Sequence, residues 1–148
     1  MKNVKQFDMK KVLYFLAMVM VFASCSAKLT EKVIETYPDG KVKKTQYLNR
    51  KGTCVKEVEL YATGQVKMEG GMKNGKMDGE WTSYFPDGRI QSHGFFEDGE
   101  RTGYGEVYYS NGNLYQEGSY SHGVHCGHWK FYDEQGNLIG ERDYGKCE

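Results

Sequence analysis

The sequence has no net charge, few aliphatic residues and no long apolar run. Its 148 residues include 20 basic and 20 acidic side chains, and the hydrophobic fraction is only 39%. A balanced charge provides no electrostatic footprint for nucleic acid and no polybasic patch for anionic lipid. The longest apolar run, residues 12–23, is too short for a membrane-spanning helix, which needs roughly 20 residues.

Glycine and aromatic residues, by contrast, are abundant. The chain contains 19 glycines against 2 prolines, and aromatic residues make up 14% of it. This composition favours β-strands separated by many turns. The length leaves room for one domain and a short appendage.

The N-terminal residues have the order of an export signal. A basic stretch, residues 1–11, precedes the apolar run, and Ser24 and Cys25 follow it. This order is typical of a secretory signal peptide. Removal of residues 1–24 would leave 16 basic and 19 acidic side chains, so the mature chain would have a net charge of −3.

The stretch from Phe22 to Cys25 resembles a bacterial lipobox. This resemblance implies that Cys25 is lipidated and becomes the first residue of the mature protein. We therefore expect a lipoprotein signal peptide over residues 1–24, a lipidated cysteine and tether over 25–36, and a repeat domain over 37–148. The protein would be an exported lipoprotein, anchored in a membrane of the bacterial cell envelope on its periplasmic or surface face. The alternative is an ordinary signal peptide, or an uncleaved anchor, with an incidental cysteine.

Glycines recur with a period of 24 residues. An apolar residue follows each glycine of the first series by two positions and another follows it by eight, and a second glycine series lies between. The structural turns assigned to the two series are Gly40, Gly64, Gly88, Gly112 and Gly136, and Gly75, Gly99 and Gly123. Because Asp or Asn directly precedes most of these glycines, we expect the same short hairpin turn in both series.

The repeat predicts an all-β fold. We expect an elongated antiparallel meander of about five 24-residue β-hairpins, forming a single twisted sheet with nearest-neighbour contacts. Two columns of residues should form buried stripes: Val66, Ile90, Leu114 and Leu138 in one, and Met72, Phe96, Tyr120 and Tyr144 in the other. A glycine column at Gly70, Gly94 and Gly118 would leave room for neighbouring rings or for sheet coiling.

Three stretches resemble the MORN repeat in its bacterial variant form. They are Gly-x-Trp-x-x-Tyr-Phe-Pro-Asp-Gly over 79–88, Gly-x-Trp-x-x-Tyr over 127–132, and Gly-x-Gly over 103–105. The resemblance spans about residues 37–145 and is nearest to the YwqK-like, toxin–antitoxin-type antitoxin family. It implies an elongated β-hairpin sheet with a non-catalytic interaction role, and it transfers no catalytic residue. The first unit departs from the pattern, as expected of a terminal cap.

Candidate chemistry is sparse. The densest cluster contains His122, His125, Cys126 and His128. Its spacing fits no standard zinc pattern, and His125 and His128 would face opposite sides of an extended strand. The acidic residues are scattered and mostly in turns, and no serine or cysteine has a nucleophile's setting. We therefore expect no metal, no cofactor, no catalytic residue and no enzyme activity.

Three cysteines remain besides Cys25. Cys54 and Cys126 occupy the same slot of units that lie three hairpins apart, roughly 30 Å, which is too far for a disulfide. Cys126 and Cys147 bracket one hairpin and could pair if the tail bends. Such a pair would leave one thiol unpaired, and the spacing alone leaves both states open.

The aromatic residues indicate a binding surface. A single-layer sheet cannot bury both faces, and exposed aromatic patches usually mark partner surfaces. We name Trp81, Tyr115 and Trp129 as the candidate partner surface. The expected function is a protein–protein interaction or scaffold module at the cell envelope, with an antitoxin- or immunity-like role as a hypothesis. Its partners would be an unidentified envelope protein and, through the lipid, the membrane, but not nucleic acid. The alternative is a binder of glycans, small molecules or lipid headgroups through exposed aromatics.

Replacement of the lipidation residue tests the anchor. Cys25→Ser removes the only side-chain sulfur at the end of the apolar run, so the variant should move from the membrane to the soluble fraction when cells are fractionated, because the acyl chains supply the membrane affinity. Cys54→Ser is the matched control and should stay with the membrane. A Cys25→Ser variant that still sediments with membranes would contradict lipidation.

Overall fold

The structure is a computed structural model that describes residues 28–148. Within this range the chain forms ten β-strands and no helix. The strands are β1 (Thr30–Thr36), β2 (Val42–Leu48), β3 (Cys54–Leu60), β4 (Val66–Lys73), β5 (Lys76–Tyr84), β6 (Ile90–Glu97), β7 (Glu100–Tyr108), β8 (Leu114–Ser121), β9 (Val124–Tyr132) and β10 (Leu138–Asp143). The described part of the chain accordingly contains no helix long and apolar enough to cross a membrane.

All ten strands belong to one sheet. Each strand pairs antiparallel with its predecessor and its successor in the chain, so the sheet order is the sequence order from β1 to β10. This arrangement confirms the predicted open meander of five hairpins. One boundary differs from the expectation, because Thr30–Thr36, which we assigned to the tether, forms β1 and pairs with β2. The predicted signal peptide and Cys25 lie outside the described residues.

The expectation of one turn type is wrong, because the two edges of the sheet use different turns. Along one edge the strands are joined by two-residue turns at Asn74–Gly75, Asp98–Gly99 and His122–Gly123, and both residues of each turn have positive φ. Positive φ at both positions defines the type I′ turn, whose twist matches that of the flanking strands. The first unit has no two-residue turn at this edge, because a longer loop with Gly52 at positive φ joins β2 to β3.

The opposite edge carries five-residue loops at 24-residue intervals, namely 37–41, 61–65, 85–89, 109–113 and 133–137. In the fourth loop the Gly112 N–H donates to the Tyr109 carbonyl at 2.9 Å, and the Tyr109 N–H donates to the Asn113 carbonyl at 2.8 Å. Gly112 has a φ of 92°, which strains any side-chain-bearing residue. All eight glycines assigned to turns have positive φ.

Tryptophan rings lying on glycines organise one face of the sheet. Trp81 packs on Gly70 and Trp129 packs on Gly118, so closely that a Cβ at either glycine would overlap the indole ring. The glycine column thus leaves room for neighbouring rings at Gly70 and Gly118, whereas at Gly94 the nearest side-chain atom belongs to Arg101. Each indole also donates its N–H to a strand carbonyl, Trp81 to Gly71 at 2.8 Å and Trp129 to Ser119 at 3.0 Å.

The middle unit has glycine in place of tryptophan, and an arginine fills the space. Gly105 occupies the tryptophan slot of this unit, opposite Gly94. The Arg101 guanidinium lies 5.3 Å from the ring centre of Phe96 and 5.3 Å from that of Tyr120, within cation–π range of both. We call the face that carries Trp81, Phe96, Arg101, Tyr120 and Trp129 the ring face.

Few side chains of the described residues are buried, and they lie on both faces of the sheet. Trp81 and Trp129 are only 5% and 1% exposed, and the other buried side chains in the described range are Val58, Cys126 and Thr45. The expected stripe through residues 66, 90, 114 and 138 is not continuously buried, because Ile90 and Leu138 are 45% and 50% exposed. These residues adjoin register shifts beside the five-residue loops, at the margin of a single layer with no second layer over it. In the other stripe Met72, Phe96 and Tyr120 are half-buried, but Tyr144 is exposed.

Tyrosine hydroxyls link successive units at the loop edge. Tyr37 donates to the Leu60 carbonyl at 2.7 Å, Tyr61 to the Tyr84 carbonyl at 2.8 Å and Tyr109 to the Tyr132 carbonyl at 2.9 Å. Each bond spans 23 residues and therefore joins one hairpin to the next. Phe85 occupies the same slot in the third loop and has no hydroxyl, so the series is interrupted there.

The glycine column offers a matched pair of substitutions. Gly118→Ala should lower the free energy of unfolding by about 1–3 kcal/mol, because the new methyl group displaces the Trp129 ring. Gly94→Ala should be close to neutral, since its Cβ would meet only ordinary contacts, the nearest being Arg101 Nη1 at 3.6 Å. Urea unfolding followed by circular dichroism measures both. Equal losses in the two variants would contradict the role of the tryptophan ring.

The interrupted tyrosine series predicts a stabilising substitution. Phe85→Tyr should place a hydroxyl within reach of the Tyr108 carbonyl and raise the free energy of unfolding by about 0.5–1.5 kcal/mol. Tyr61→Phe, which removes a bond of the same kind, should lower it by a similar amount. Thermal unfolding of both variants tests the two expected changes. A Phe85→Tyr chain that is no more stable than the parent would show that a hydroxyl at position 85 does not bond the Tyr108 carbonyl.

Candidate functional site

The face opposite the ring face carries a repeated pairing of tyrosine and glutamate. Tyr84 on β5 donates its hydroxyl to Glu69 on β4 at 3.1 Å, and Tyr132 on β9 donates to Glu117 on β8 at 2.6 Å. In each pair the two residues are 15 positions apart. We call this side of the sheet, with Glu69, Tyr84, Tyr104, Glu117 and Lys130, the polar face.

The middle unit breaks this pairing because His93 replaces the glutamate. Glu69, His93, Glu117 and Glu141 follow one another at 24-residue intervals. His93 bonds Glu80 at 2.8 Å, and Tyr108, which has lost its expected acceptor, bonds Glu106 at 2.9 Å. Burial, together with that hydrogen bond, raises the pKa of Tyr108 to about 12. The residue at position 93 therefore determines which acceptor the Tyr108 hydroxyl bonds.

Glu117 is the most heavily bonded carboxylate of the polar face. It accepts the hydroxyls of Tyr104 and Tyr132, and the Lys130 ammonium lies 3.7 Å away. The hydrogen bond from Tyr104, followed by that from Tyr132, lowers the pKa of Glu117. Burial and the same hydrogen bond raise the pKa of Tyr104. A carboxylate with these donors stays ionised at neutral pH, so the cluster is suited to holding side chains in place rather than to proton transfer.

Three aromatic side chains on neighbouring strands are 40–45% exposed: Phe95 on β6, Tyr104 on β7 and Tyr115 on β8. Phe95 and Tyr104 lie on the polar face, where the pairing of β6 with β5 places Phe95 opposite Glu80. Tyr115 lies beside the fourth five-residue loop with its ring 5.0 Å from that of Tyr109, in an edge-on arrangement. Phe95 contacts the His93 ring edge-on at 5.5 Å, so Phe95 and Tyr115 each contact a neighbouring ring while remaining partly open to solvent.

The structure corrects two of the three residues assigned to the partner surface. Trp81 and Trp129 are buried against glycines, because the indoles fill the space those glycines leave, and they cannot present their rings to a partner. Tyr115 is exposed as expected. Phe95 and Tyr104 were missed, although strand alternation places Phe95 on the face opposite Phe96 and Tyr104 in the slot of the exposed residues Glu80 and His128.

The side chains of His122, His125, Cys126 and His128 do not come together in one site. Among residues 28–148 no group of three or more histidine, cysteine or acidic side chains is close enough to hold a metal ion. His125 stacks on Trp129 with ring centres 3.9 Å apart, and burial, with Arg101 nearby, lowers its pKa. His128 lies 3.5 Å from Glu141, and His122 lies 3.4 Å from Glu100.

The cysteines divide into one pair and one thiol. Cys126 and Cys147 form a disulfide with their Cα atoms 5.0 Å apart, which resolves the question that the spacing left open. Cys54 carries the free thiol of the described residues, and burial raises its pKa.

Three segments of the chain match the MORN repeat variant family: residues 77–98, 101–122 and 126–145. They correspond to hairpins β5/β6, β7/β8 and β9/β10. MORN repeats are generally protein- or membrane-binding modules, and proteins built from them are generally non-catalytic. None of the curated protein sequences is significantly similar to the chain.

Solved structures of TarM resemble the chain only distantly. A mutant of S. aureus TarM in complex with fondaparinux, α-GlcNAc-glycerol and UDP is 15% identical with a TM-score of 0.31, and a second TarM structure is 14% identical with a TM-score of 0.30. In both, the alignment covers 78% of this chain and 23% of the TarM chain. The chain thus spans less than a quarter of the length of these proteins.

The bonding of Glu117 predicts an acid-sensitive contribution to stability. Because its folded-state pKa is lowered, the contribution is fully present above the unfolded-state pKa of about 4.3 and is lost as the pH falls through the lower folded-state value. Glu117→Gln should cost about 1–3 kcal/mol at pH 7 and flatten the decline of the unfolding free energy below pH 4.5. Glu134→Gln, at an exposed loop position, is the control. Parallel pH profiles for the Glu117→Gln and parent chains would contradict the assignment.

Proposed function

We propose that this chain, three of whose hairpins are MORN repeat variants, is a non-catalytic protein-binding module held at the bacterial cell envelope by a lipid on Cys25. The observation that carries the proposal is the presence of half-exposed aromatic rings at 95, 104 and 115 on three adjacent strands of a single-layer sheet. Aromatic side chains with one face supported and the other free contribute strongly to protein–protein interfaces.

The surroundings of these rings suit a specific contact. Tyr104 is held by its hydrogen bond to Glu117, and Tyr115 is braced by Tyr109, so neither ring loses much conformational freedom when a partner binds. The polar face around Tyr104 carries paired charges such as Lys130 with Glu117, which would form a polar rim. This combination favours a protein surface over a deep small-molecule pocket.

The position of the rings in the sheet supports a role away from the membrane. β1 starts at Thr30, close in sequence to Cys25, so the first hairpin would lie nearest the lipid. β6 to β8 lie five to seven strands further along the sheet, roughly 24–34 Å at the usual strand spacing. We propose that the first hairpins act as a spacer and the later ones bind.

An exported protein has no access to a cytoplasmic toxin. The antitoxin-like role therefore takes the form of immunity in this proposal: the module would bind an effector that acts at the cell envelope.

The binding surface is tested by comparing Tyr115→Ser with Gln91→Ser. Both residues occupy the same slot of adjacent units, but only Tyr115 offers a ring. Loss of a central aromatic anchor should weaken partner capture about tenfold or more, while Gln91→Ser should leave it unchanged. The measurement is crosslinking in cells from a photoreactive group at position 113, followed by quantification of the protein adduct.

The two variants should fold alike, which circular dichroism verifies. Equal yields of adduct from Tyr115→Ser and the parent would show that Tyr115 is not part of the binding surface. Recovery of polysaccharide alone, with no stoichiometric protein, would overturn the protein-binding proposal and favour a glycan binder.

A further inference from the structure

The last five residues extend the final strand pairing beyond β10. β10 pairs with β9 only from His128 to Tyr132, so the first part of β9, residues 124–127, pairs with β8 on one side and would be open on the other. The tail occupies that open side. The Tyr144 N–H donates to the Gly127 carbonyl at 2.9 Å, and the Gly127 N–H donates to the Gly145 carbonyl at 2.5 Å.

Few other contacts hold the tail. All residues from 141 to 148 are exposed, so little apolar area is buried beneath them. The Tyr144 ring lies edge-on to His125 at 5.2 Å and to Trp129 at 6.3 Å, and the Ser121 hydroxyl donates to the Glu148 carbonyl. Segments with few buried contacts open locally at low free energy.

The disulfide is the one covalent hold. It joins Cys147, which is exposed, to Cys126, which is 5% exposed and lies within β9. The disulfide therefore joins the tail to β9, the strand whose open side the tail covers. Disulfides persist in exported proteins because these leave the reducing cytosol.

We propose that the Cys126–Cys147 disulfide is a redox-sensitive latch that keeps the C-terminal tail paired with the open side of β9. In the oxidised protein the end of the sheet is capped. Reduction frees residues 144–148, leaves the N–H and carbonyl of Gly127 without their partners, and uncovers the side of the His125 and Trp129 rings that Tyr144 contacts. The opened strand then presents an unpaired sheet edge.

The reaction is a thiol–disulfide exchange with a dithiol reductant. A thiolate of the reductant attacks the exposed Cys147 sulfur, the protein S–S bond breaks, and Cys126 leaves as a thiolate that takes up a proton. The second thiol of the reductant then displaces Cys147, and the reductant becomes a disulfide. Cys54 does not compete as an internal attacking thiol, because it lies six strands away, roughly 29 Å.

Hydrogen exchange on the full chain is the direct test, with dithiothreitol as the reductant. Reduction should accelerate exchange of the Gly127 and Tyr144 amides about tenfold or more, while amides of β4 and β5 keep their protection. Cys147→Ser without reductant should reproduce the reduced pattern. Cys54→Ser is the control and should respond to dithiothreitol as the parent does.

Tryptophan fluorescence of a Trp81→Phe chain, excited selectively above the tyrosine absorption, gives a second readout, since the chain has two tryptophans and Trp129 is then the sole tryptophan. Acrylamide quenching of Trp129 should rise at least twofold on reduction. Unchanged quenching and unchanged Gly127 exchange in both the reduced and the Cys147→Ser chains would show that hydrogen bonds alone hold the tail, and would overturn the latch. Loss of protection across β4 and β5 as well would overturn it too, because the disulfide would then support the whole sheet.

Discussion

The structure depends on the contact of a tryptophan ring with a glycine of the neighbouring strand. A single-layer sheet has no second layer to cover its apolar side chains, so a ring is buried only if it lies flat on its own sheet. Gly70 and Gly118 permit this for Trp81 and Trp129, whose rings lie where a Cβ would otherwise be. Each indole N–H then finds a carbonyl on the adjacent strand, and the ring binds two strands together both by packing and by a hydrogen bond.

Because of this contact, the two faces of the sheet carry different kinds of side chain. On the ring face, aromatic side chains and Arg101 form a continuous series that passes through the unit lacking tryptophan. The polar face buries only a few side chains, Thr45, Val58 and Cys126, and its tyrosines bond carboxylates. Side chains such as Phe95 and Tyr104 remain half-exposed on this face, and the proposed binding function rests on them together with Tyr115.

The two ends of the sheet are treated differently. At the N-terminal end every residue of β1 is exposed, whereas at the C-terminal end a disulfide fastens the tail over β9. A meander always has two open edges, and unpaired edges invite pairing with other chains. In the proposed latch, a single disulfide determines whether the C-terminal edge of the sheet is covered. This edge is far from the end that would lie at the membrane.

The sequence by itself determined the number of hairpins, the positions of the turn glycines and the order of the strands, because a 24-residue period with glycine at fixed positions permits only nearest-neighbour pairing. It did not distinguish the type I′ turns from the five-residue loops, since both contain Asp or Asn before glycine. The two connections differ in length and in the φ of the residue before glycine, which is positive only in the two-residue turns. Only the tertiary structure decided which aromatics are buried. Trp81 and Tyr115 are both aromatic residues of the repeat. Trp81 faces Gly70 on the neighbouring strand and is buried, whereas Tyr115 lies beside a loop and is exposed. Likewise, the spacing of Cys126 and Cys147 allowed either state, and the structure shows them joined where Tyr144 and Gly145 pair with Gly127.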